Sequence, residues 1–228
     1  MGRLVKRAPG IWTVRIPHSL MGLQLGSQMT VMQLADGALV LHSPVPLDAE
    51  LRSELDDLGP VRALVSPNVF HHLFIAEAAA WYPEATLLVP KELHRKRKDL
   101  PPARSLTQAP GLIWGEEMVA VGLRGLPRLN EWAFLHRASK TLVLADLIFN
   151  LGRPKHLWTA LYLRFGGVYG KPGCTPVLRS QVADKEDLAT SIDFILGFEI
   201  DRILPAHGEM IDQEPKEVLR QAFEWLRR

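Results

Sequence analysis

Apolar and polar residues alternate along Ile11-Trp12-Thr13-Val14-Arg15-Ile16-Pro17, which predicts a strand. Gln28 to Leu34 predicts a second strand and Ala38 to Ser43 a third, with Asp36-Gly37 supplying hairpin-turn chemistry between them. Pro44 and Pro46 stop the third strand, and Asp48 is placed to cap a helix running to about Leu58. Val61 to Val65 is continuously apolar apart from Arg62, the pattern of a buried strand. Leu73 to Trp81 is alanine-rich and predicts a helix, Ala85 to Val89 a short strand, and Glu92 to Lys98 a charged helical turn.

The second half repeats the theme. Met118 to Val121, Glu131 to His136 and Thr141 to Leu144 read as strands, the last two joined by an Ala138-Ser139-Lys140 turn. Gly152 to Pro176 holds several glycines and prolines and predicts an irregular loop or lid. Asp184 to Gly197 is a helix with favourable N-terminal chemistry, Ile200 to Leu204 a strand, and Pro215 to Arg228 a helix begun by proline. This order predicts an α/β protein with two sheets flanked by helices, a four-layer αββα sandwich. With no linker or low-complexity tract, residues 1–228 read as a single domain.

Chemistry gathers at three strand ends. The run Val61 to Val65 leads through Ser66-Pro67-Asn68-Val69-Phe70 to two adjacent histidines, His71 and His72. Thr141 to Leu144 leads to Asp146, and Ile203-Leu204-Pro205-Ala206 leads to His207. Three such ends point to one site at one edge of a sheet. A set of three imidazoles and a carboxylate suits Zn²⁺, and also Fe²⁺, Mn²⁺ or Ni²⁺. Adjacent strand residues face opposite ways, so His71 and His72 can share a metal only on a loop or first helical turn. The alternative is a metal-free polar cluster.

These blocks, in this order, resemble the metallo-β-lactamase-fold superfamily. Its first signature, Thr-His-x-His-x-Asp-His after a strand, lies over Ser66 to His72. On that frame the first two metal histidines are Pro67 and Val69, the aspartate is His71, and the closing histidine is His72. The Gly-His-Thr-Pro-Gly turn is represented by Gly125-Leu126-Pro127, so a third histidine is lost. Leu144-Ala145-Asp146 and Pro205-Ala206-His207-Gly208 keep the later blocks. The Pro-Asn-x-x-His-His loop followed by Tyr82-Pro83-Glu84-Ala85 looks like a divergent branch described as a domain of unknown function. The resemblance implies the αββα fold, loss of one metal position and survival of the other. His71, His72, Asp146 and His207 would be its ligands, with Asp146 and His72 as catalytic groups. It implies His42 beside the pocket, with an ordinary strand-end histidine as the alternative, together with Asn68, Tyr162 and Arg164, the last two from a segment over the site mouth.

Composition narrows the function. In 228 residues the formal net charge is +2, which argues against nucleic acid as partner. The basic run Lys91 to Lys98 has no interleaved aromatics and reads as a solvated helix face. The single cysteine, Cys174, fits a reducing compartment, and no apolar run is long enough for a membrane span, so a cytoplasmic, non-membrane protein is expected. His18, His94, His136 and His156 have no such context and read as surface residues. No Gly-x-Ser-x-Gly elbow or phosphate-cradling Gly-Lys-Ser/Thr loop is present. The expectation is a hydrolase-like protein with at most one divalent metal, zinc first, then iron or manganese. It would activate water against a small ester, lactone, thioester or phosphoester. The alternatives are a metal-free, non-catalytic protein using the same cleft to bind a ligand or partner, and a homodimer contact in place of a lid at 152–176.

Overall fold

Strand alternation sorts the side chains into three apolar layers in the computed structural model, which describes residues 2–107 and 110–227. Arg228 and the side chain of His94, both covered by the sequence reading, lie outside the described residues. The first half holds β1 (Val5–Ala8), β2 (Ile11–Ile16), β3 (Ser19–Leu20), β4 (Leu23–Gln24), β5 (Ser27–Gln33) and β6 (Leu39–His42). It continues with α1 (Ala49–Leu58), β7 (Val61–Val65), α2 (Ile75–Trp81), β8 (Thr86–Val89), α3 (Lys91–Lys96) and β9 (Ala103–Ser105). The second half holds α4 (Pro110–Trp114), β10 (Met118–Gly122), β11 (Trp132–His136), β12 (Thr141–Leu144) and α5 (Leu157–Phe165). It ends with α6 (Pro176–Gln181), α7 (Lys185–Leu196), β13 (Arg202–Pro205), α8 (Pro215–Phe223) and a 3₁₀ turn, Glu224–Arg227.

One sheet has seven strands in the order β1-β2-β5-β6-β7-β8-β9, and the other has four, β10-β11-β12-β13. Pairs β6/β7, β7/β8, β8/β9 and β12/β13 are parallel. Parallel strands must be covered on both faces, and β6, β8 and β12 are mainly apolar and buried on both. Along β6, Leu39 and Leu41 face α1 and α2, while Val40 faces the other sheet. Along β12, Leu142 and Leu144 face α7 and α8, while Val143 meets Phe134 and Leu204 between the sheets. The result is the four-layer αββα arrangement.

The caps follow their sequence signals. Asp48 accepts from the Leu51 N–H at 2.7 Å, and Asp184 from the Asp187 N–H at 2.9 Å. Gly59 ends α1 at φ 151°, where a Cβ would lie 2.1 Å from the Gly37 carbonyl oxygen.

Four features differ from the sequence reading. The β3–β4 hairpin and β9 are too short to show a period. The segment 152–176 is not wholly irregular, because α5 occupies its centre, with His156 Nδ1 at its N-terminus and Gly166 at its end. Helix α2 starts at Ile75 rather than Leu73, because the residues before it are held in a side-chain-bonded turn described below. The final helix gives way to the 3₁₀ turn after Phe223. Among the described residues, no helix is long and apolar enough to cross a membrane.

His42 is a local misfit in this core. It lies on the inter-sheet face of β6 and packs edge-on against Phe134, ring centroids 5.3 Å apart. Among the described residues, neither ring nitrogen has a hydrogen-bonding partner beyond a contact with its own backbone. Burial, then the nearby His71, push its pKa down to about 3. An unfolded chain therefore takes up this proton first as pH falls, and stability is lost progressively from about pH 6.5 down to about pH 3. Replacing His42 with leucine is expected to raise stability at neutral pH by about 1–2 kcal/mol, since it removes a buried polar group without partners. It should also flatten the pH dependence in that window. Denaturant unfolding of both proteins at pH 7 and pH 5 checks this; equal pH slopes would refute it.

Candidate metal centre

The loop after β7 separates the two adjacent histidines. Asn68 Oδ1 accepts from the backbone N–H groups of Phe70 at 2.9 Å and His71 at 2.8 Å, a side-chain-closed turn. The Ser66 hydroxyl lies 2.9 Å from the carbonyls of Asn68 and His71 and tightens it further. His71 is thereby turned toward the other sheet and His72 toward α3.

The turn after β12 is built on a residue that sequence reasoning missed. Glu131, fully buried just before β11, accepts from the backbone N–H groups of Ala145, Asp146 and Leu147 at 3.0–3.1 Å. Its Oε2 also faces Asn68 Nδ2 at 3.3 Å. Burial first, then the Asp146 charge, push the Glu131 carboxyl up to about 8. All four neighbours are donors, however, and none could accept a carboxyl proton, so the geometry calls for the carboxylate. Asn68 Nδ2 also donates to Asp146 Oδ2 at 2.8 Å, joining the two turns.

The third position follows β13. Ala206 N–H bonds the Leu144 carbonyl at 3.0 Å, and the His207 carbonyl accepts from Asn150 at 2.9 Å. Gly208 sits at φ 107°, and a Cβ there would lie 2.0 Å from the Asn150 carbonyl oxygen. Only glycine lets the two strand ends approach this closely.

These turns converge. His71 Nε2 is 3.4 Å and His207 Nε2 3.2 Å from the same oxygen, Asp146 Oδ1. Each of the three residues offers a ligand atom within 4.8 Å of the others, a set that could hold a metal ion. The side chains are 8%, 6% and 18% exposed for His71, His207 and Asp146. Burial opposes the Asp146 charge, but the two imidazoles, charged at low pH, outweigh it and hold the carboxyl below the usual carboxylate range.

The chemistry of the donor set fits a metal. His207 Nδ1 bonds the Gly26 carbonyl at 2.8 Å, so it carries the proton, and in the neutral ring Nε2 is a bare lone pair facing the carboxylate. Two electron-rich atoms facing each other call for a cation between them. A protonated ring would also serve, through an N–H···O bond to the carboxylate. Both nitrogens, at 3.2 and 3.4 Å, converge on Asp146 Oδ1. His71 is oriented from behind by Ser43 Oγ, 2.7 Å from its Nδ1.

The other expected site residues lie elsewhere. His72 does not join the group. Its Nδ1 accepts from Arg97 Nη1 at 2.8 Å, which leaves the proton on Nε2 and no lone pair free on the neutral ring. Burial, with Lys96 and Arg97 adding to it, lowers its pKa. Asn68 is fully buried beneath the site rather than in the cleft. His42 sits in the inter-sheet core, and the Arg164 guanidinium stacks on Tyr169 at 3.9 Å, both away from the cleft lining. Tyr162 does line it. His18, read from the sequence as a surface residue, also lines the cleft; burial, then His207 and His71, lower its pKa. Its backbone carbonyl closes the base of the β3–β4 hairpin by accepting from Leu25 and Gly26. His136 is likewise buried, held by Ser139 and the Gln33 carbonyl.

Comparisons with known proteins agree with this architecture. The family described as a domain of unknown function (DUF4336) matches residues 9–157. No curated protein matches the chain. A metallo-β-lactamase from Pontibacter korlensis superposes with a TM-score of 0.67 at 13% identity, covering all of both chains. The metallo-β-lactamase FIM-1 from Pseudomonas aeruginosa, in its mono-zinc form, gives 0.63 at 15% identity over 98% of this chain and 95% of that one. The Flv1 flavodiiron core from Synechocystis sp. PCC6803 gives 0.68 at 9% identity over 99% of this chain and 61% of that one. At such identities the likeness is one of fold: this is a divergent metallo-β-lactamase fold.

Proposed function

We propose, on the premise that this chain belongs to the DUF4336 family, a domain of unknown function, that it is a hydrolase-like protein dependent on one divalent metal. The observation that carries the reading is the convergence of His71, His207 and Asp146, with the bare His207 nitrogen aimed at the carboxylate. His71, Asp146 and His207 would hold the ion. Two imidazoles and a carboxylate favour zinc, with iron or manganese as substitutes. Such an ion, when bound, supplies a Lewis acid and brings the pKa of a water to about 7.

The chain's own residues do the rest. Gly26 and Ser43 fix the ring planes of His207 and His71. Asn68 holds Asp146 Oδ2, leaving Oδ1 to face the two rings. Glu131 fixes the backbone that carries Asp146. An apolar cleft lies above the group. The substrate is a small ester, lactone, thioester or phosphoester, and nucleic acid has no place in the reading. We treat residues 1–228 as one domain, because the site draws on both sheets. We place the protein in the cytoplasm, where the buried Cys174, its thiol pushed up to about 12 by burial, would stay reduced.

A second reading is favoured by Pro67, Val69 and Leu126, which stand where the resemblance would put the other metal's histidines. In it the protein is a non-catalytic binder using the same cleft. Hydrolysis separates the two. Zinc-reconstituted protein is expected to cleave p-nitrophenyl acetate or a simple thioester above the rate with free zinc, to lose this with a chelator and to regain it with metal. Metal uptake without turnover of any ester, lactone, thioester or phosphoester would instead support the binder.

A further inference from the structure

We propose that the cleft over His71, Asp146 and His207 takes an extended acyl chain, making the substrate an amphiphilic ester or thioester; this rests on the hydrolase reading above. The cleft encloses about 390 Å³, the size of a small-ligand site. Its accessible wall is overwhelmingly apolar, and the wall comes from separate elements. The β3–β4 hairpin supplies Leu20 and Leu23, the loop after β7 Phe70 and Leu73, and α6 Val177 and Leu178.

The polar groups in the lining are largely engaged inward. Ser43 bonds His71, and Thr175 Oγ1 accepts from the Leu178 N–H. A sugar or peptide would find few free partners and would leave its own polar groups unpaired. Among the described residues of the lining, Asp146 is the only acid and Lys96 the only lysine or arginine, so a neutral or anionic headgroup is tolerated at the mouth.

The rim separates a chain from a compact apolar ligand. Leu20, Phe70, Leu73 and Val177 line the cleft and are still more than half exposed. The apolar surface continues onto α5, whose Leu157, Trp158, Leu161 and Phe165 are also exposed. Helix α5 is tied to the hairpin where Gln24 N–H bonds Thr159 Oγ1 at 2.9 Å. A compact ring would fill the cleft and leave this surface bare, whereas a chain longer than the cleft runs out along it.

The test is calorimetric titration of the full chain, with and without zinc, using hexanoate, octanoate, decanoate and dodecanoate. Each added methylene is expected to tighten binding about fourfold until the cleft is filled. Val177→Asp, at a position 57% exposed where the new carboxylate stays solvated, should weaken dodecanoate binding at least tenfold. Phe194→Asp, an exposed position on α7 outside the lining, should leave it unchanged. Co-sedimentation with phosphatidylcholine vesicles identifies the source of the chain. Pelleting that is lost in Phe165→Asp assigns it to a lipid surface, and dodecanoate binding without pelleting to a dispersed amphiphile. Equal or absent binding of hexanoate and dodecanoate, with zinc uptake and p-nitrophenyl acetate cleavage intact, overturns the acyl-chain inference alone. Chain-length-dependent binding in a protein that takes up no zinc and cleaves no ester overturns the hydrolase reading and leaves the chain site standing.

Discussion

Replacing Glu131 with glutamine is expected to destabilise the protein by about 3–5 kcal/mol, the loss seen when a buried charge network is broken. The wild-type carboxylate receives four donors, three of them backbone N–H groups that no substitution removes. An amide keeps one acceptor oxygen and turns an NH₂ toward two donors, leaving them unsatisfied in a site without water access. Leucine or methionine would not rescue, because all four donors would then be orphaned. For a chain of this length the melting temperature should fall by roughly 10 °C or more. The loss should be shared by the site, since the Asp146 backbone and Asn68 both hang on Glu131. Thermal unfolding of Glu131→Gln checks the stability, and zinc affinity checks the coupling. A melting temperature within ~2 °C of wild type, under 1 kcal/mol on the same scale, would mean that the carboxylate is not what holds this turn.

Asp146→Ala carries the second large effect. If Asp146 joins His71 and His207 as a ligand, its removal should weaken zinc binding at least a hundredfold, more than loss of a supporting residue does. A ligand that binds only the folded state stabilises it by RT ln(1 + [L]/Kd), about 2.7 kcal/mol at a hundred times Kd. Wild-type protein should therefore melt several degrees higher with zinc, and Asp146→Ala should show no such rise. His72→Ala is the informative contrast. Its ring nitrogen is engaged by Arg97 and it stands outside the converging group, so the zinc-dependent rise should persist. A rise lost in His72→Ala but kept in Asp146→Ala would reverse the assignment.

Several of these features were legible in the chain. The alternation in β2, β5 and β6, the continuous run of β7, and the caps Asp48 and Asp184 report local rules, and they fix the layers. The three strand ends carrying His71, Asp146 and His207 were legible for the same reason: Asp146 and His207 directly follow apolar runs, and His71 closes the short loop after one. What stayed hidden depends on contacts far apart in sequence. Glu131 looks like a polar residue at the start of a strand, and its burial exists only because the turn after β12 offers three N–H groups 14 to 16 residues away. His72 parts from His71 because an asparagine side chain closes the loop, which residue spacing alone does not reveal. His18 reaches the cleft because a hairpin of two-residue strands folds its neighbours over the site, and strands that short have no period to detect.

The most direct test of a single metal centre is elemental analysis of untagged protein, purified without chelator and then equilibrated with zinc. One equivalent per chain, held by wild type and by His72→Ala but lost from Asp146→Ala and His207→Ala, is the predicted result. No metal taken up at all would contradict the account and leave His71, Asp146 and His207 as a proton-bridged cluster; two equivalents would mean that residues outside this group bind as well.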